Sequence, residues 1–312
     1  MLSAPRVSIH ILNYNGGDDI LICLRSLCQL TYENLRILVI DNASADDSLA
    51  RIQAEFPSID IIRNTVNLGF GGGHNVGIRD ALDRRIPYIW LLNQDAAVAA
   101  DALSQLIETA EANPSIGAMS PRVLNPDDTV WFEGGQINWW RMRAVHTPTQ
   151  PGRDPEYLSG CALFLRSSIL SPTGLFDEDF FLYYEDADIS RRIQRAGFRL
   201  LVEPKARVWH TEASNHNNPH KTLWLVWSGL LFFQKQTPWY FRCWTQLYIL
   251  FRVGYNYFLC QLHPTPLRRA LIRCYFTFFR RYGFFAFLLH PRQLPKRGAH
   301  PPVADFLARP RH

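Results

Sequence analysis

Three carboxylate side chains follow a group of aromatic residues in the sequence, somewhat past the middle of the chain. Glu185, Asp186 and Asp188 follow residues 180–184, four of which are aromatic, and open a segment with helical spacing. A carboxylate beside apolar bulk is partly desolvated, which favours its neutral form and makes it a better proton acceptor. The same acids also suit the first turn of a helix whose arginines lie toward its far end. General-base chemistry and helix capping are therefore both open for this segment.

Polar side chains also follow four runs that have the composition of buried strands. Those that follow the successive strands are Asn13, Tyr14 and Asn15, then Asp41 and Asn42, then Asn64 and Asn67, and finally Asn93 and Asp95. Turn chemistry explains each group taken singly, because Asn and Asp are favoured in turns. The carboxyl ends of parallel strands, however, share one edge of a sheet, and ligands bind there. Four such strand ends in succession indicate one binding crevice.

Asp95 and His210 are the candidate metal ligands. A strand delivers Asp95 to the crevice, and its hard oxygens suit Mg²⁺ or Mn²⁺, which also grip diphosphate oxygens. His210 ends a later strand and could supply an imidazole nitrogen. A helix N-cap is the alternative for Asp95, and a packed strand-end histidine is the alternative for His210. As ligands, the two would form a partial site that substrate phosphates complete.

Residues 67–78, NLGFGGGHNVGI, are rich in glycine. Glycines let backbone amides approach a ligand, and a helix can start nearby, as in loops that cradle phosphates. The stretch lacks the GK[ST] of a Walker loop and does not match the dinucleotide pattern GxGxxG with its strand-end acid. Alone, it is weak support for a ligand-facing loop.

The elements that must position these residues alternate between strand and helix over the first 120 residues. Short β-branched runs such as RVSIHIL and LRILVID are each followed by a segment with helical spacing. This order predicts a parallel sheet with helices on its faces. A stretch rich in Pro, Gly and Trp follows over residues 121–157, where Trp139 and Trp140 suit either a sugar ring or a core.

Charge is distributed unevenly in a chain whose composition is otherwise globular, with 47% hydrophobic and 20% charged residues. Residues 1–220 contain 19 Lys and Arg against 27 Asp and Glu, whereas residues 221–312 contain 14 against the single Asp305. The two parts therefore meet different partners. We expect a catalytic domain over 1–220 and a helical, basic, aromatic-rich region over 221–312 that is poorly ordered from about residue 291.

The C-terminal region favours contact with an anionic membrane surface. Residues 222–234 are uncharged, but as a helix they cover only about 20 Å, short of the ~30 Å hydrocarbon core. The arginines that follow suit helices lying in the membrane interface. An ordinary helical cap with a solvated basic face is the alternative. We do not expect nucleic acid as a partner, because the positive charge lies among aliphatic and aromatic runs.

Two further features bear on location. The six cysteines are scattered without metal-site spacing, as expected for buried thiols in a reducing compartment. The chain shows no secretory signal, since its first apolar run is short and leads directly into Asn13. We therefore expect a cytoplasmic protein, peripheral at the inner face of the plasma membrane.

Six segments of the chain, in order over roughly residues 6–215, resemble the family 2 inverting glycosyltransferases, especially their rhamnosyltransferase-like branch. These segments are VSIHILNYNG, VIDNASADDS, NLGFGGGHNVGI, WLLNQDAAV, LSGCALFLRSSIL and GLFDEDFFLYYEDADISRRIQRAGFRLLVEPKARVWH. The resemblance implies the GT-A fold, an α/β architecture with a Rossmann-like, mostly parallel sheet flanked by helices. It also implies a nucleoside-diphosphate sugar as donor.

The resemblance gives roles to residues at matching positions. Those expected to contact the nucleotide sugar are Asn13, Tyr14, Asn15, Asp41, Asn67, Gly71, His74, Asn75 and Asn93. The family's Asp-x-Asp metal motif falls on residues 93–95, where Asn93 replaces the first acid. Asp95 is thus the one carboxylate ligand, with His210 beside it, so strict dependence on Mg²⁺ or Mn²⁺ is not implied.

The family's Glu-Asp pair falls on Glu185 and Asp186, of which the second acid is the catalytic base. We assign Trp131, Tyr184 and Asp188 to the acceptor side. The resemblance thus implies transfer of rhamnose or a similar hexose from a dTDP- or UDP-linked donor. The acceptor would be a hydroxyl of a glycan or lipid-linked oligosaccharide in cell-surface polysaccharide biosynthesis.

Two other functions are alternatives. A sugar nucleotidyltransferase could use the same kind of crevice but would release pyrophosphate. A non-enzymatic module that binds membrane or nucleic acid could be built on residues 221–312. A glycoside hydrolase needs two facing carboxylates and no nucleotide pocket, so the polar series at the strand ends argues against one.

Overall fold

The fold is built on a mostly parallel sheet. The structure, a computed structural model, describes residues 4–148, 154–211 and 219–283. The strands within these ranges are β1 (Val7–Asn13), β2 (Leu35–Asp41), β3 (Asp60–Arg63), β4 (Tyr88–Asn93), β5 (Ala96–Val98), β6 (Ile116–Leu124), β7 (Val130–Phe132), β8 (Gly135–Asn138), β9 (Arg143–His146), β10 (Ala162–Arg166) and β11 (Arg199–His210). The main sheet has the order β3-β2-β1-β4-β10-β6-β11-β5, with β7 added beside β6, while β8 and β9 pair separately.

Helices follow most strands of the first half of the chain and make up most of its last third. Within the described ranges they are α1 (Asp19–Leu27), α2 (Ser48–Glu55), α3 (Gly69–Asp83), α4 (Ala102–Ala112), α5 (Leu170–Thr173), α6 (Glu185–Arg195), α7 (Pro219–Gln236), α8 (Arg242–Leu262) and α9 (Pro266–Tyr282). This alternation is the one that the sequence predicts for a parallel sheet with helices on its faces.

The described chain forms two compact units. The first consists of residues 4–136, 144–148, 154–178 and 186–211, and it contains the main sheet. The second consists of residues 137–143, 179–185 and 219–283, and it contains α7, α8 and α9. Two short segments from the middle of the sequence thus belong with the C-terminal helices.

The centre of the first unit is β1, which pairs in parallel with β2 on one side and β4 on the other. Val7, Ile9 and Ile11 are fully buried, and so are the intervening Ser8 and His10, as in parallel strands that are covered on both faces. β10 runs antiparallel to both of its neighbours, β4 and β6. The register places Asn13 opposite Asp41, so the polar strand ends of the sequence stand side by side.

The glycine-rich stretch forms the first turns of α3, where the sequence predicted a ligand-facing loop. Its glycines allow close packing of this helix on the sheet. A Cβ atom at Gly73 would clash with Leu12 Cδ1, and one at Gly77 would lie 2.9 Å from His10 Nδ1. The packing requirement explains these glycines without reference to a ligand.

The core of the second unit is α7. Its side chains include the buried Leu223, Trp227 and Phe233, and the Trp227 ring meets Phe278 of α9 edge-on with 5.1 Å between centroids. The Lys235 ammonium lies 2.7 Å from the Asp179 carboxylate, and both side chains are largely buried. The apolar run at 222–234 is therefore mostly internal to this unit.

The cysteines, the helices and the C-terminal tail bear on where the protein works. Three cysteines, Cys23, Cys161 and Cys274, are buried thiols, but Cys28 and Cys243 are exposed, so the expectation of buried thiols is wrong for those two. Every helix in the described ranges is too short or too polar to traverse a lipid bilayer. The tail expected to be poorly ordered, from about residue 291, lies outside the described residues.

Candidate active site

The ends of β1 and β2 form one hydrogen-bonded unit. The Asn13 side-chain amide donates to Asp41 Oδ1 at 2.9 Å and to the hydroxyls of Ser44 and Ser48 at 3.1 and 3.0 Å. Both Asn13 and Asp41 are buried. Asn13 therefore fixes the orientation of the Asp41 carboxylate, and its amide hydrogens are already engaged within the protein.

The loop after β1 is tied to the loop after β4. The backbone N–H of Tyr14 donates to Gln94 Oε1 at 2.8 Å, and Gln94 Nε2 donates back to the Tyr14 carbonyl at 3.3 Å. Asn15 has a φ of 51°, in the left-handed region that Asn tolerates better than most residues, and its Oδ1 accepts from the Ala45 N–H at 2.8 Å. The Tyr14 ring remains about half exposed. Gln94 thus joins the end of β1 to the residues that follow β4.

Asp95 and His210 meet at the carboxyl edge of the sheet. β5 pairs with β11 so that Ala96 stands opposite His210, which brings the preceding Asp95 to the imidazole with 3.1 Å between Oδ1 and Nε2. The Asn93 amide nitrogen lies 3.3 Å from the same Nε2 atom. The structure therefore brings His210 to Asn93 and Asp95, which lie more than a hundred positions earlier in the sequence.

The surroundings of His210 favour its protonated form. Burial of the ring opposes protonation, but the nearby Cys161 sulfur and the Asp95 carboxylate outweigh it and raise the pKa of His210 to about 10. The protonated ring would pair with Asp95, and a divalent cation that binds to Nε2 would have to displace the proton from that nitrogen, because coordination needs the neutral imidazole.

The rings of Trp131 and His146 form a chain of edge-on ring contacts with the ring of His210. The Trp131 ring meets the His210 ring edge-on with 4.6 Å between centroids, and it meets the His146 ring in the same way at 4.8 Å. His146 ends β9, and its Nδ1 lies 3.2 Å from the Trp131 carbonyl oxygen. Trp131 thus separates the Asp95–His210 pair from His146.

Asp186 lies in the first turn of α6 and reaches across to the loop before β10. Its Oδ2 accepts from the Gly160 N–H at 3.0 Å, and its Oδ1 accepts from the Ala187 N–H at 2.7 Å. A Cβ atom at Gly160 would lie 2.9 Å from the Phe70 ring, so the absent side chain is what permits this close approach. These two bonds hold the carboxyl in one orientation.

The pKa of Asp186 is raised above the ordinary value for aspartate. Burial of the carboxyl raises it, while the two peptide N–H groups of Gly160 and Ala187 and the positive charge of His146 oppose that rise. His146 is thus electrostatically close to Asp186. A carboxylate with increased proton affinity in a fixed orientation has the properties of a general base.

The other acids of this segment have different surroundings. Asp188 is buried, and its Oδ2 lies 2.8 Å from Arg192 Nε one turn further along α6. Glu185 is buried at the start of the helix. Tyr184 belongs to the second unit, where its ring packs against Phe232 of α7 with 5.2 Å between centroids.

Four residues expected to contact the nucleotide sugar have structural contacts around α3. Asn67 Oδ1 accepts from the Asn42 amide at 2.8 Å, and Asn75 exchanges hydrogen bonds with the backbone of Phe176. Gly71 is buried in the helix. His74 is fully buried, its pKa is lowered to about 3 by that burial, and among the described residues neither ring nitrogen has a hydrogen-bond partner. The structure does not bring His74 to Asp95 or His210 through any contact between described residues.

Sequence reasoning missed four residues of the cluster: Gln94, His146, Gly160 and Cys161. Gln94 and Cys161 lie in segments that the sequence had singled out, but neither residue type indicated a contact. His146 comes from a stretch with no periodicity, forty residues before Asp186. Only Gly160, a glycine directly before a strand, carried a signal, because such glycines mark close approach of another group.

The side chains present fit a partial site for a divalent cation. Among the described residues, no three His, Cys, Asp or Glu side chains form a set that could hold a metal ion. Asp95 and His210 nevertheless offer one oxygen and one nitrogen that face each other at 3.1 Å. Mg²⁺ and Mn²⁺ sites commonly use one or two protein ligands and take the rest from substrate phosphates and water. The donor set is therefore compatible with a cation bound together with a diphosphate.

Comparison with known sequences identifies relatives. The family model "Glycosyl transferase family 2" matches residues 8–170. The chain is 27% identical over 229 residues to an N-acetylglucosaminyl-diphospho-decaprenol L-rhamnosyltransferase of Mycobacterium tuberculosis, covering 65% of this chain and 75% of the relative. It is 29% identical over 219 residues to the galactofuranosyltransferase GlfT1 of the same species, covering 67% and 71%.

Solved structures with the same fold include two sugar transferases. The GalNAc-T7 structure with UDP, GalNAc and Mn²⁺ has a TM-score of 0.59 at 17% identity and covers 76% of this chain, which in turn spans only 51% of GalNAc-T7. The mannosyltransferase PcManGT from Pyrobaculum calidifontis, in complex with GDP-Man and Mn²⁺, has a TM-score of 0.57 at 16% identity and covers 98% of this chain and 79% of its own. The expected GT-A fold is confirmed by these likenesses. Because the family model spans more than half of the sequence, the chain belongs to glycosyl transferase family 2, and the protein is a glycosyltransferase.

Proposed function

We propose that this glycosyltransferase moves rhamnose or a similar hexose from a dTDP- or UDP-linked donor to a hydroxyl of a glycan or lipid-linked acceptor, with inversion at the anomeric carbon. The product would contribute to a cell-surface polysaccharide. The observation that carries the proposal is the meeting of Asp95 and His210 at 3.1 Å on the carboxyl edge of the sheet, where ligands of such sheets bind. The mycobacterial relatives, a rhamnosyltransferase and a galactofuranosyltransferase, support the class of donor.

In this proposal the nucleotide lies over the ends of β1 and β2. Asp41 would accept hydrogen bonds from the base edge, and Asn13 keeps its carboxylate oriented through the bond at 2.9 Å. The half-exposed ring of Tyr14 could stack on the base. Asn13 itself then acts by positioning Asp41, because its amide hydrogens are already donated within the protein.

The diphosphate would lie beside Asp95 and His210. These two residues would hold a Mg²⁺ or Mn²⁺ ion together with the phosphate oxygens. A bound cation would offset the negative charge that develops on the departing nucleoside diphosphate. Asn93, whose amide nitrogen lies 3.3 Å from His210 Nε2, would contact the nucleotide sugar beside this pair.

Asp186 would act as the general base. It takes the proton of the acceptor hydroxyl while that oxygen forms a bond to the anomeric carbon, and the bond from that carbon to the diphosphate oxygen breaks. The leaving group is the nucleoside diphosphate, and a single displacement inverts the anomeric centre. The fixed orientation and raised pKa of Asp186 support this role. Glu185 would be the other acid of the catalytic pair.

The acceptor side would include Trp131, whose ring lies 4.6 Å from that of His210. Tyr184 and Asp188, which are close to Asp186 in the sequence, would also belong to the acceptor side.

We further propose that the reaction takes place at the inner face of a membrane. The charge of residues 219–283, which contain nine Lys and Arg and no Asp or Glu, supports an anionic surface as a partner. A lipid-linked acceptor would be presented at such a surface.

The test is a donor panel on the full chain. Binding is measured by thermal shift, and turnover by release of nucleoside diphosphate, with dTDP-rhamnose, UDP-galactofuranose, UDP-glucose and UDP-N-acetylglucosamine. Each donor is offered with and without Mg²⁺ or Mn²⁺ and with an acceptor that carries a lipid-linked N-acetylglucosamine. We expect one deoxyhexose or hexose donor to be used in preference, with an inverted linkage in the product. Release of pyrophosphate in place of nucleoside diphosphate would overturn the proposal.

A further inference from the structure

One face of α8 exposes a row of large apolar side chains. Leu247, Phe251, Tyr255, Phe258 and Leu262, here called the α8 stripe, recur every three or four residues and therefore share one side of the helix. Each of them is between 53% and 69% exposed. Scattered single apolar residues are normal on a protein surface, but a contiguous row of five marks an interaction site.

The side of α8 opposite the stripe makes the contacts that attach this helix to the rest of its unit. Thr245 and Ile249 are its buried residues, and the amide of Gln246 exchanges hydrogen bonds with the amide of Gln234 on α7. The stripe thus points away from the contacts that attach α8 to its own unit.

Exposed aromatic residues precede α8, and a basic residue lies beside the stripe. Trp239 and Tyr240, just before the helix, are 76% and 66% exposed. Trp and Tyr of this kind favour the boundary between lipid and water. Arg252 lies about a quarter of a turn from the middle of the stripe, where a long basic side chain can reach a headgroup while its stem covers apolar surface.

The length of the stripe fits a helix lying flat. From Leu247 to Leu262 it extends about 22 Å, and no helix of the described ranges could cross a bilayer. An amphipathic helix in the interface buries its apolar side by about 5–10 Å and adds attraction between basic residues and anionic lipid.

The charge of this region favours lipid over a second copy of the chain as the partner of the α8 stripe. Residues 219–283 contain nine Lys and Arg and no Asp or Glu. Two copies joined through their stripes would bring two such basic regions together, and like charges oppose association. A surface of anionic lipid complements the same charge.

We propose that the α8 stripe docks on the interfacial region of an anionic lipid bilayer, with the axis of α8 parallel to the membrane plane. This rests on the proposed function, since it names the surface by which the enzyme would meet a lipid-linked acceptor. It also narrows the sequence-based expectation of interfacial helices in residues 221–312 to α8, because α7 is the buried core of its unit.

The experiment is flotation of the full chain with vesicles of phosphatidylcholine, alone or mixed with phosphatidylglycerol. The test variant is Phe251→Glu with Phe258→Glu. The matched control is Leu250→Glu with Tyr257→Glu, which adds the same charge to exposed residues of α8 that lie about a quarter to a third of a turn away from the stripe. Circular dichroism and thermal melting check that both variants fold.

We expect the wild type and the control to float with the mixed vesicles and poorly with phosphatidylcholine alone. The test variant should partition at least about tenfold less, because two phenylalanines no longer enter the apolar layer. Equal loss in both variants, no flotation of the wild type, or equal binding to neutral vesicles would overturn the proposal. A dimer in light scattering that only the test variant abolishes would assign the stripe to a second copy instead. None of these outcomes depends on sugar transfer, and the donor panel uses no vesicles, so the two proposals can fail separately.

Discussion

Asp186 combines a restrained orientation with a raised pKa, which are separate consequences of its surroundings. The N–H groups of Gly160 and Ala187 hold its two oxygens, and burial raises its pKa. If it is the base, Asp186→Asn should lower kcat by about 10²- to 10⁴-fold, the usual contribution of general-base catalysis. Asn has nearly the same shape, so donor affinity measured by calorimetry should be retained.

The control for that variant is Asp60→Asn, which alters an exposed carboxylate on β3. It should transfer sugar at the wild-type rate. Transfer by Asp186→Asn at near the wild-type rate would remove Asp186 from the role of base.

The dependence of kcat/KM on pH should show the ionisation of the Asp186 carboxyl. A base must be ionised, so kcat/KM should fall as the pH decreases through the pKa of Asp186. Because burial raises that pKa, the acid limb should lie above the ordinary value of about 3.9 for aspartate. The cation of His146 opposes the rise, so His146→Gln should move the limb to still higher pH. A limb at or below the ordinary value, or one that His146→Gln moves downward, would contradict this assignment.

At the scale of elements, α3 is held against the sheet by glycines at the contact. A Cβ atom at Gly73 would clash with Leu12 Cδ1, so Gly73→Ala should lower the free energy of unfolding by about 1–3 kcal/mol, the usual effect of overpacking. The matched control is Gly254→Ala in α8, where a Cβ atom would have no neighbour within 4 Å. That change should be stabilising by about 0.4–1 kcal/mol. Urea unfolding of the two variants tests the pair, and equal effects of the same sign would refute the packing argument.

The elements differ in how far the sequence could predict them. β1, β2 and β4 are short runs of mainly apolar residues that end in polar residues, so both their type and the positions of Asp41 and Asp95 follow from the pattern. The glycine-rich stretch was expected to be a ligand-facing loop because its glycines would let backbone amides approach a ligand, yet it forms the first turns of α3, which packs closely on β1. The contact of Asp186 with Gly160 depends on a tertiary meeting of distant segments, which no local pattern encodes.

At the scale of the whole molecule, the second unit collects segments 137–143 and 179–185 with the C-terminal helices. Composition marks the change near residue 220, since charge and aromatic content shift there. It does not mark the two inserted segments, because their aromatic residues serve equally well in a loop or a core. Trp139, for example, stacks near Phe232 with 6.3 Å between ring centroids, ninety-three positions further along the chain.

Stability of the whole fold should depend on pH through two buried histidines. The pKa of His10 is lowered to about 3 by burial, with the charges of His74 and Arg36 adding to the effect and Asp80 opposing it. The pKa of His74 is lowered to about 3 by burial. In the unfolded chain both titrate near 6.5, so between pH 6.5 and 3 the unfolded state binds more protons. The free energy of unfolding therefore falls as the pH decreases through this window.

From pH 7 to pH 5 each histidine should remove about 2 kcal/mol of stability. Urea unfolding at the two pH values measures the difference, and His74→Leu, which places an apolar side chain among Phe70 and Phe176, should reduce it by about that amount. The control His263→Gln changes an exposed histidine and should leave the difference as in the wild type. Comparing the two pH values within each variant cancels any packing cost of the substitution, because that cost is the same at both. If His74→Leu retains the full wild-type difference, His74 is protonated to the same extent in the folded and unfolded chains, and its burial as a neutral ring is refuted.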